Sequence, residues 1–156
     1  MRVVRDAVDW VRTLPEVRPA RVGLFGASLG AYVAVGAAAT DPRISQVVLL
    51  GGGLEPGVAD SVRHFPPTLL LHGVDDAEVP LAAEDSLVRL LIRHRALVVT
   101  HRYPGEGHYL ADTAAVDAAL RAARFLTQGR AAMLRDVLWQ SAAMRVSDDT
   151  ARTRIP

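Results

Sequence analysis

The sequence predicts an α/β fold, a short and mainly parallel sheet with helices on both faces. Four short apolar runs, Arg21–Phe25, Gln46–Leu50, Thr68–Leu71 and Ala96–Tyr103, alternate with segments whose apolar residues recur at helical spacing. Each run ends in Gly-, Pro- or Asp-rich turn chemistry, and parallel strands need crossover connections of this kind. A chain of 156 residues, 50% hydrophobic and 22% charged, is the size and composition of one globular domain. Such a chain buries roughly 68–70% of its unfolded surface and needs no staple. The expected organisation is one domain over 1–156.

Taken in order, the opening segment sets Val4, Ala7, Val8, Val11 and Leu14 on one helical face, and Pro15 closes it. After the first strand comes Gly26-Ala27-Ser28-Leu29-Gly30 and then an apolar helix, Ala31 to Thr40, which Asp41-Pro42 stops. The second strand ends in Gly51-Gly52-Gly53, and a loop runs to Pro67. His72 ends the third strand as a structural residue, and Ala83, Leu87, Leu90 and Leu91 mark the next helix. The fourth strand leads into Pro104-Gly105-Glu106-Gly107-His108-Tyr109. Asp112 is placed to cap a helix carrying Val116, Leu120 and Leu126 that stops near Gly129. A further amphipathic helix is predicted over 131–144.

Composition removes several functions. Basic and acidic side chains number 18 and 17, with no run of like charge, so no nucleic-acid partner is expected. All the basic residues are Arg, which excludes Schiff-base chemistry and a P-loop Lys within this sequence. With no Cys there is neither a disulfide nor a thiolate nucleophile. No signal peptide and no apolar stretch near the ~20 residues of a membrane span are read, so no membrane partner is expected and a cytoplasmic location is. His64, His94 and His101 fit surface or partly buried roles, and none has a metal-ligand spacing, so no metal is expected. No GxGxxG is present and no cofactor is expected. Tyr109 and Trp139 could line a pocket, with buried packing the favoured use of each.

One constellation carries chemistry. Gly26-x-Ser28-x-Gly30 falls between a strand and a helix, where flanking glycines permit a sharp turn that lifts the Ser hydroxyl above the sheet. A Ser hydroxyl needs a base to take its proton, and the base needs an acceptor to hold its tautomer. An acid follows the third strand, at Asp75 or Asp76, and His108 follows the fourth. In a parallel sheet the carboxyl ends of the strands share one edge, which brings the three segments together.

At LFGASLG, LLLHGVDDAEVP and YPGEGHYL the chain resembles the α/β-hydrolase family, and most closely its dienelactone hydrolase-like and peptidase-like serine esterase branches. The resemblance implies Ser28 as nucleophile, Asp76 as the acid that orients the base, His108 as general base and the Leu29 N–H as one oxyanion donor. The family spacing from His72-Gly73 to Val79-Pro80 favours Asp76 and leaves Asp75 as a solvated turn residue. Dienelactone hydrolases proper use a Cys nucleophile, so a Ser here implies ester hydrolysis without implying that substrate. The match covers 3–127, the hydrolase-like core, and only the carboxyl-terminal half of the family's sheet, implying a truncated α/β-hydrolase fold lacking the N-terminal strands and the second oxyanion donor they supply. Gly51 to Pro67 is too short for an inserted lid, which implies an open cleft. The expected partner is a small-molecule ester with a small or extended acyl group. The strand bearing Ser28 should present a bare edge, for which a homodimer is the favoured cover; the alternative function is a non-catalytic module acting by association.

Overall fold

The computed structural model describes residues 2–62 and 64–129, so the helix predicted over 131–144 and Trp139 within it lie outside the described residues. The described residues form four α-helices and four strands in the order α1 Arg2–Val11, β1 Val22–Ala27, α2 Leu29–Thr40, β2 Ile44–Leu50, β3 Thr68–Gly73, α3 Leu81–Arg93, β4 Val98–Tyr103 and α4 Asp112–Gln128. The strands form one parallel sheet in the order β1-β2-β3-β4.

Alternation along the strands divides the core into two layers. Val47, Leu49 and Leu70 point to the side covered by α1, α2 and α3, where Val8, Val35, Leu87 and Leu91 meet them. Val48, Leu69 and Leu71 point to the side of α4, against Ala118, Ala122 and Phe125. Full burial of each Leu contributes about 1.5–3 kcal/mol. Helix α2 carries buried Ala31, Ala34, Val35 and Gly36 to Ala39, side chains small enough to let its backbone lie close against the sheet.

Several boundaries differ from the expectation, each for a physical reason. Strand β1 runs on to Ala27, because Gly26 and Ala27 pair with Leu49 and Leu50. The turn is then made at Ser28 alone, so α2 starts at Leu29 rather than Ala31. Within the 51–67 loop, Pro56–Ser61 forms a 3₁₀ helix with Pro at its start. Asp112 does not cap α4: Ala111 holds that position, and Asp112 is the first helical residue, with φ 42°. The Ala111 N–H donates instead to Glu106 Oε2 at 2.8 Å.

Strand β1 pairs with β2 on one side only, and on its outer side no other described strand pairs with it. Phe25, on β1, is 53% exposed. At the other end of the molecule, the Arg21 guanidinium donates to the Thr127 carbonyl and ties the end of α4 to the start of β1. All four strands run the same way, so the turns at Ser28, Gly51, Asp76 and His108 gather at one end of the sheet.

Candidate active site

Ser28 has φ 52° and ψ −124°, a conformation costing of order 1–3 kcal/mol for a residue with a side chain. It is held there from both sides. The Ser28 N–H donates to the Leu50 carbonyl at 2.9 Å, and the Ser28 carbonyl accepts from the Ala31 N–H at 2.9 Å. A Cβ on Gly26 would lie 2.3 Å from the Gly30 carbonyl oxygen, whereas one on Gly30 would meet nothing within 4 Å. Of the two flanking glycines, only the first is required by space. Leu29 opens α2, and its N–H is among the helix's first donors, which have no acceptor inside the helix.

His108 stands between Ser28 and Asp76. Its Nδ1 lies 2.8 Å from Asp76 Oδ2 and its Nε2 2.9 Å from Ser28 Oγ. With Nδ1–H donating to the carboxylate, the Nε2 lone pair faces the hydroxyl, which donates to it. Asp76 is buried, and its Oδ1 accepts from the N–H groups of Glu78 at 2.9 Å and Val79 at 2.8 Å. Burial alone raises the Asp76 pKa. The Val79 N–H, the His108 ring and the Glu78 N–H outweigh it and hold the carboxyl below the ordinary carboxylate value.

Asp75 is exposed, and its N–H donates to the Glu106 carbonyl at 2.9 Å. That bond links the two loops bearing the acid and the base. They also touch directly, since a Cβ on Gly73 would lie 2.1 Å from the Gly107 carbonyl oxygen.

Two residues here escaped the sequence reading. Gly51, read only as part of a turn, packs on the His108–Asp76 pair: a Cβ there would lie 3.3 Å from His108 Cε1 and 3.5 Å from Asp76 Oδ2. His72, read as a strand terminator, is buried beside Asp76, with Nε2 3.2 Å from Oδ2. The available signal was an ionisable side chain ending an otherwise apolar strand. Tyr109 is exposed rather than buried; its ring meets that of His108 edge-on at 5.0 Å between centroids, and it lines the cavity beside Ser28, the other use the sequence allowed. His64 and His94 are exposed, and His101 is half-buried beside Asp117 and Tyr103. Among the described residues no three His, Cys, Asp or Glu side chains gather as a metal site would need.

A cavity of about 260 Å³ opens beside Ser28 and His108. Phe25, Ala27, Leu50, Leu71 and Leu110 form its walls, with Ala115, Ala118 and Ala119 of α4 leaving it room. Its lining holds no Asp, Glu or Arg. Among the described residues, no helix is long and apolar enough to cross a membrane.

A parallel sheet with helices on both faces and these loops at its carboxyl end defines an α/β-hydrolase-like fold. The profile of the dienelactone hydrolase family matches residues 1–140, and the chain belongs to that family. A Synechocystis protein provisionally named carboxymethylenebutenolidase is 24% identical over 109 residues, 65% of this chain and 44% of that one. A Mycobacterium tuberculosis protein provisionally named phosphoribosyl transferase is 41% identical over 76 residues, 47% of this chain and 17% of that one. The chain thus spans less than half the length of these curated relatives. Among solved structures, esterase PE8 superposes with a TM-score of 0.66 at 24% identity, covering 76% of this chain and 57% of that one. At that identity the likeness speaks for the fold.

Proposed function

We propose that the chain is a serine hydrolase that cleaves uncharged carboxylic esters through an acyl-enzyme, with Ser28 as nucleophile, His108 as general base and Asp76 as the acid that orients it. The observation that carries this reading is the continuous contact from Ser28 Oγ to His108 Nε2 at 2.9 Å and from His108 Nδ1 to Asp76 Oδ2 at 2.8 Å. In the first half-reaction Ser28 Oγ bonds the acyl carbon while its proton passes to His108 Nε2. The Leu29 N–H donates to the carbonyl oxygen as it becomes an oxyanion. The proton then moves to the leaving alkoxide oxygen as the ester C–O bond breaks. In the second half-reaction His108 takes a proton from water, whose oxygen attacks the acyl carbon. Collapse releases the acid and returns the proton to Ser28.

The uncharged cavity walls favour an apolar group on the substrate, since a carboxylate placed there would lose its hydration without a cation to pair with. Short-chain p-nitrophenyl esters suit such a space. Labelling with a fluorophosphonate, followed by intact mass, tests the mechanism. A single adduct that disappears in Ser28→Ala is expected; full ester turnover by Ser28→Ala overturns it.

The outer side of β1, with which no other described strand pairs, and the exposed Phe25 favour a second reading, self-association of this chain into a homodimer through that edge. Sedimentation tests it: a dimer disrupted by Phe25→Glu is expected, and a monomer at high concentration removes it.

A further inference from the structure

Behind Asp76, on the side away from Ser28, lies a second row of ionisable groups. His72 on β3 and Glu84 on α3 have side chains 1% and 0% exposed. His72 Nε2 is 2.8 Å from the Val79 carbonyl oxygen and 3.2 Å from Asp76 Oδ2. Its Nδ1 is 2.9 Å from Glu84 Oε2. Glu84 Oε1 in turn accepts from Arg102 Nε at 2.9 Å, and the Arg102 guanidinium also pairs with Asp85.

Proton counting limits the states this row can adopt. A carbonyl oxygen only accepts, so His72 Nε2 carries a hydrogen. If the ring were neutral and Glu84 ionised, lone pairs on Nδ1 and Oε2 would face each other in a fully buried site. Their alignment is poor enough that neither atom has a conventional hydrogen-bond partner, yet they stand 2.9 Å apart. A proton between them is the economical way to remove the repulsion. Arg102 keeps Glu84 supplied with positive charge from its far side, which favours the carboxylate and leaves the proton on the imidazole. Burial opposes the charged ring, but the Glu84 carboxylate and the Val79 carbonyl outweigh it, and the His72 pKa lies above its ordinary value.

We infer that His72 is a buried imidazolium, held by Glu84, whose Nε2–H end fixes the Asp76 carboxylate in the orientation that His108 needs. His72 and Glu84 touch neither Ser28 nor the cavity and are positioning residues. The groups facing His72 are Asp76 from the loop after β3 and Glu84 from α3. Arg102 of β4 and Asp85 stand behind Glu84, and His108 stands beyond Asp76. The arrangement supplies what a buried carboxylate lacks. Two backbone donors satisfy Oδ1, and a nearby cation offsets the desolvation of Oδ2. The same cation moderates the field that Asp76 exerts on His108.

The consequence for rate rests on the serine-hydrolase reading, but the charge state of His72 does not. The first measurement is therefore ¹⁵N NMR of the histidine rings in the unaltered protein. His72 should show two protonated nitrogens at pH 8, where an ordinary imidazole is neutral. A neutral ring at pH 8 overturns the inference whether or not the protein hydrolyses esters. Glu84→Gln keeps the shape, offers an amide N–H to Nδ1 and removes the need for the second proton. With the nearby cation gone, the acid limb of the pH–rate profile should move up by roughly half a pH unit. An unmoved limb, with kcat altered only by a constant factor, assigns the pair to packing and overturns the positioning role. If the unaltered protein shows the imidazolium signature but no Ser28-dependent turnover, the hydrolase reading fails and the buried cation stands.

Discussion

Gly51 leaves room for His108: a side chain at residue 51 would begin 3.3 Å from His108 Cε1 and 3.4 Å from Nδ1, on the ring face that turns toward Asp76. Gly51 also has φ 57°, and its N–H donates to the Leu71 carbonyl at 2.9 Å. The end of β2 is thus a floor under the base, with no side chain and a left-handed backbone.

Gly51→Ala therefore carries two costs. The left-handed conformation costs roughly 1–2 kcal/mol of stability once a Cβ is present. The new methyl also displaces the His108 ring by a few tenths of an ångström or more, and misplacement of catalytic groups on the 1 Å scale costs about 10²-fold in rate. A fall in kcat for a short-chain ester with a folded circular-dichroism spectrum is the expected result. Unchanged kcat would mean that the ring has slack the geometry does not suggest.

The two glycines around Ser28 should behave oppositely. Gly26→Ala puts a methyl 2.3 Å from the Gly30 carbonyl oxygen, and overpacking of this kind costs about 1–3 kcal/mol. Gly30→Ala meets open space inside a helix and should stabilise by about 0.5 kcal/mol. Thermal melts of both variants decide it, with Tm falling in the first and holding or rising in the second.

How far the sequence could be read depends on the range of the interaction involved. The alternation of apolar strands and helices depends on local periodicity, and so the parallel α/β sheet was legible in outline. The Ser28, Asp76 and His108 segments were legible because turn residues after each strand mark them, and topology brings strand ends together. Asp75 and Asp76 were not separable by local rules; the difference between them is tertiary, since Asp76 is buried and accepts from Glu78 and Val79 while Asp75 is exposed. Gly51, His72 and Glu84 depend on contacts between distant parts of the chain, which leave no periodic trace. The same holds for Asp112, whose expected cap position is taken by Ala111, held across the loop by Glu106.

The separation of the two acids predicts a sharp contrast. Asp76→Asn keeps the shape but presents the wrong partner to His108 Nδ1, and the loss of tautomer control lowers kcat by about 10⁴-fold in comparable triads. Asp75→Asn leaves the backbone bond to Glu106 in place and should stay within about twofold of the parent. Initial rates with one p-nitrophenyl ester suffice. Equal losses in both variants would contradict the assignment.

Stability should pass through a plateau in mildly acidic solution. Folding lowers the pKa of Asp41, chiefly through its hydrogen bond with Arg43, and of Asp76 and Asp117, where hydrogen bonds overcome burial. A lowered folded-state value stabilises fully above the unfolded value of 3.8, and the gain is lost as pH falls through the folded values. His72 has the opposite sign: raised above 6.5, it stabilises fully below that value and loses the gain as pH rises through its folded value. Urea midpoints should therefore be highest between the unfolded values of 3.8 and 6.5 and decline on both sides. Asp41→Asn should shallow the acid limb and Glu84→Gln the alkaline one, each leaving the other limb unchanged. A midpoint that stays constant from about pH 2 to about pH 8 would show that neither set of contacts survives in solution as described.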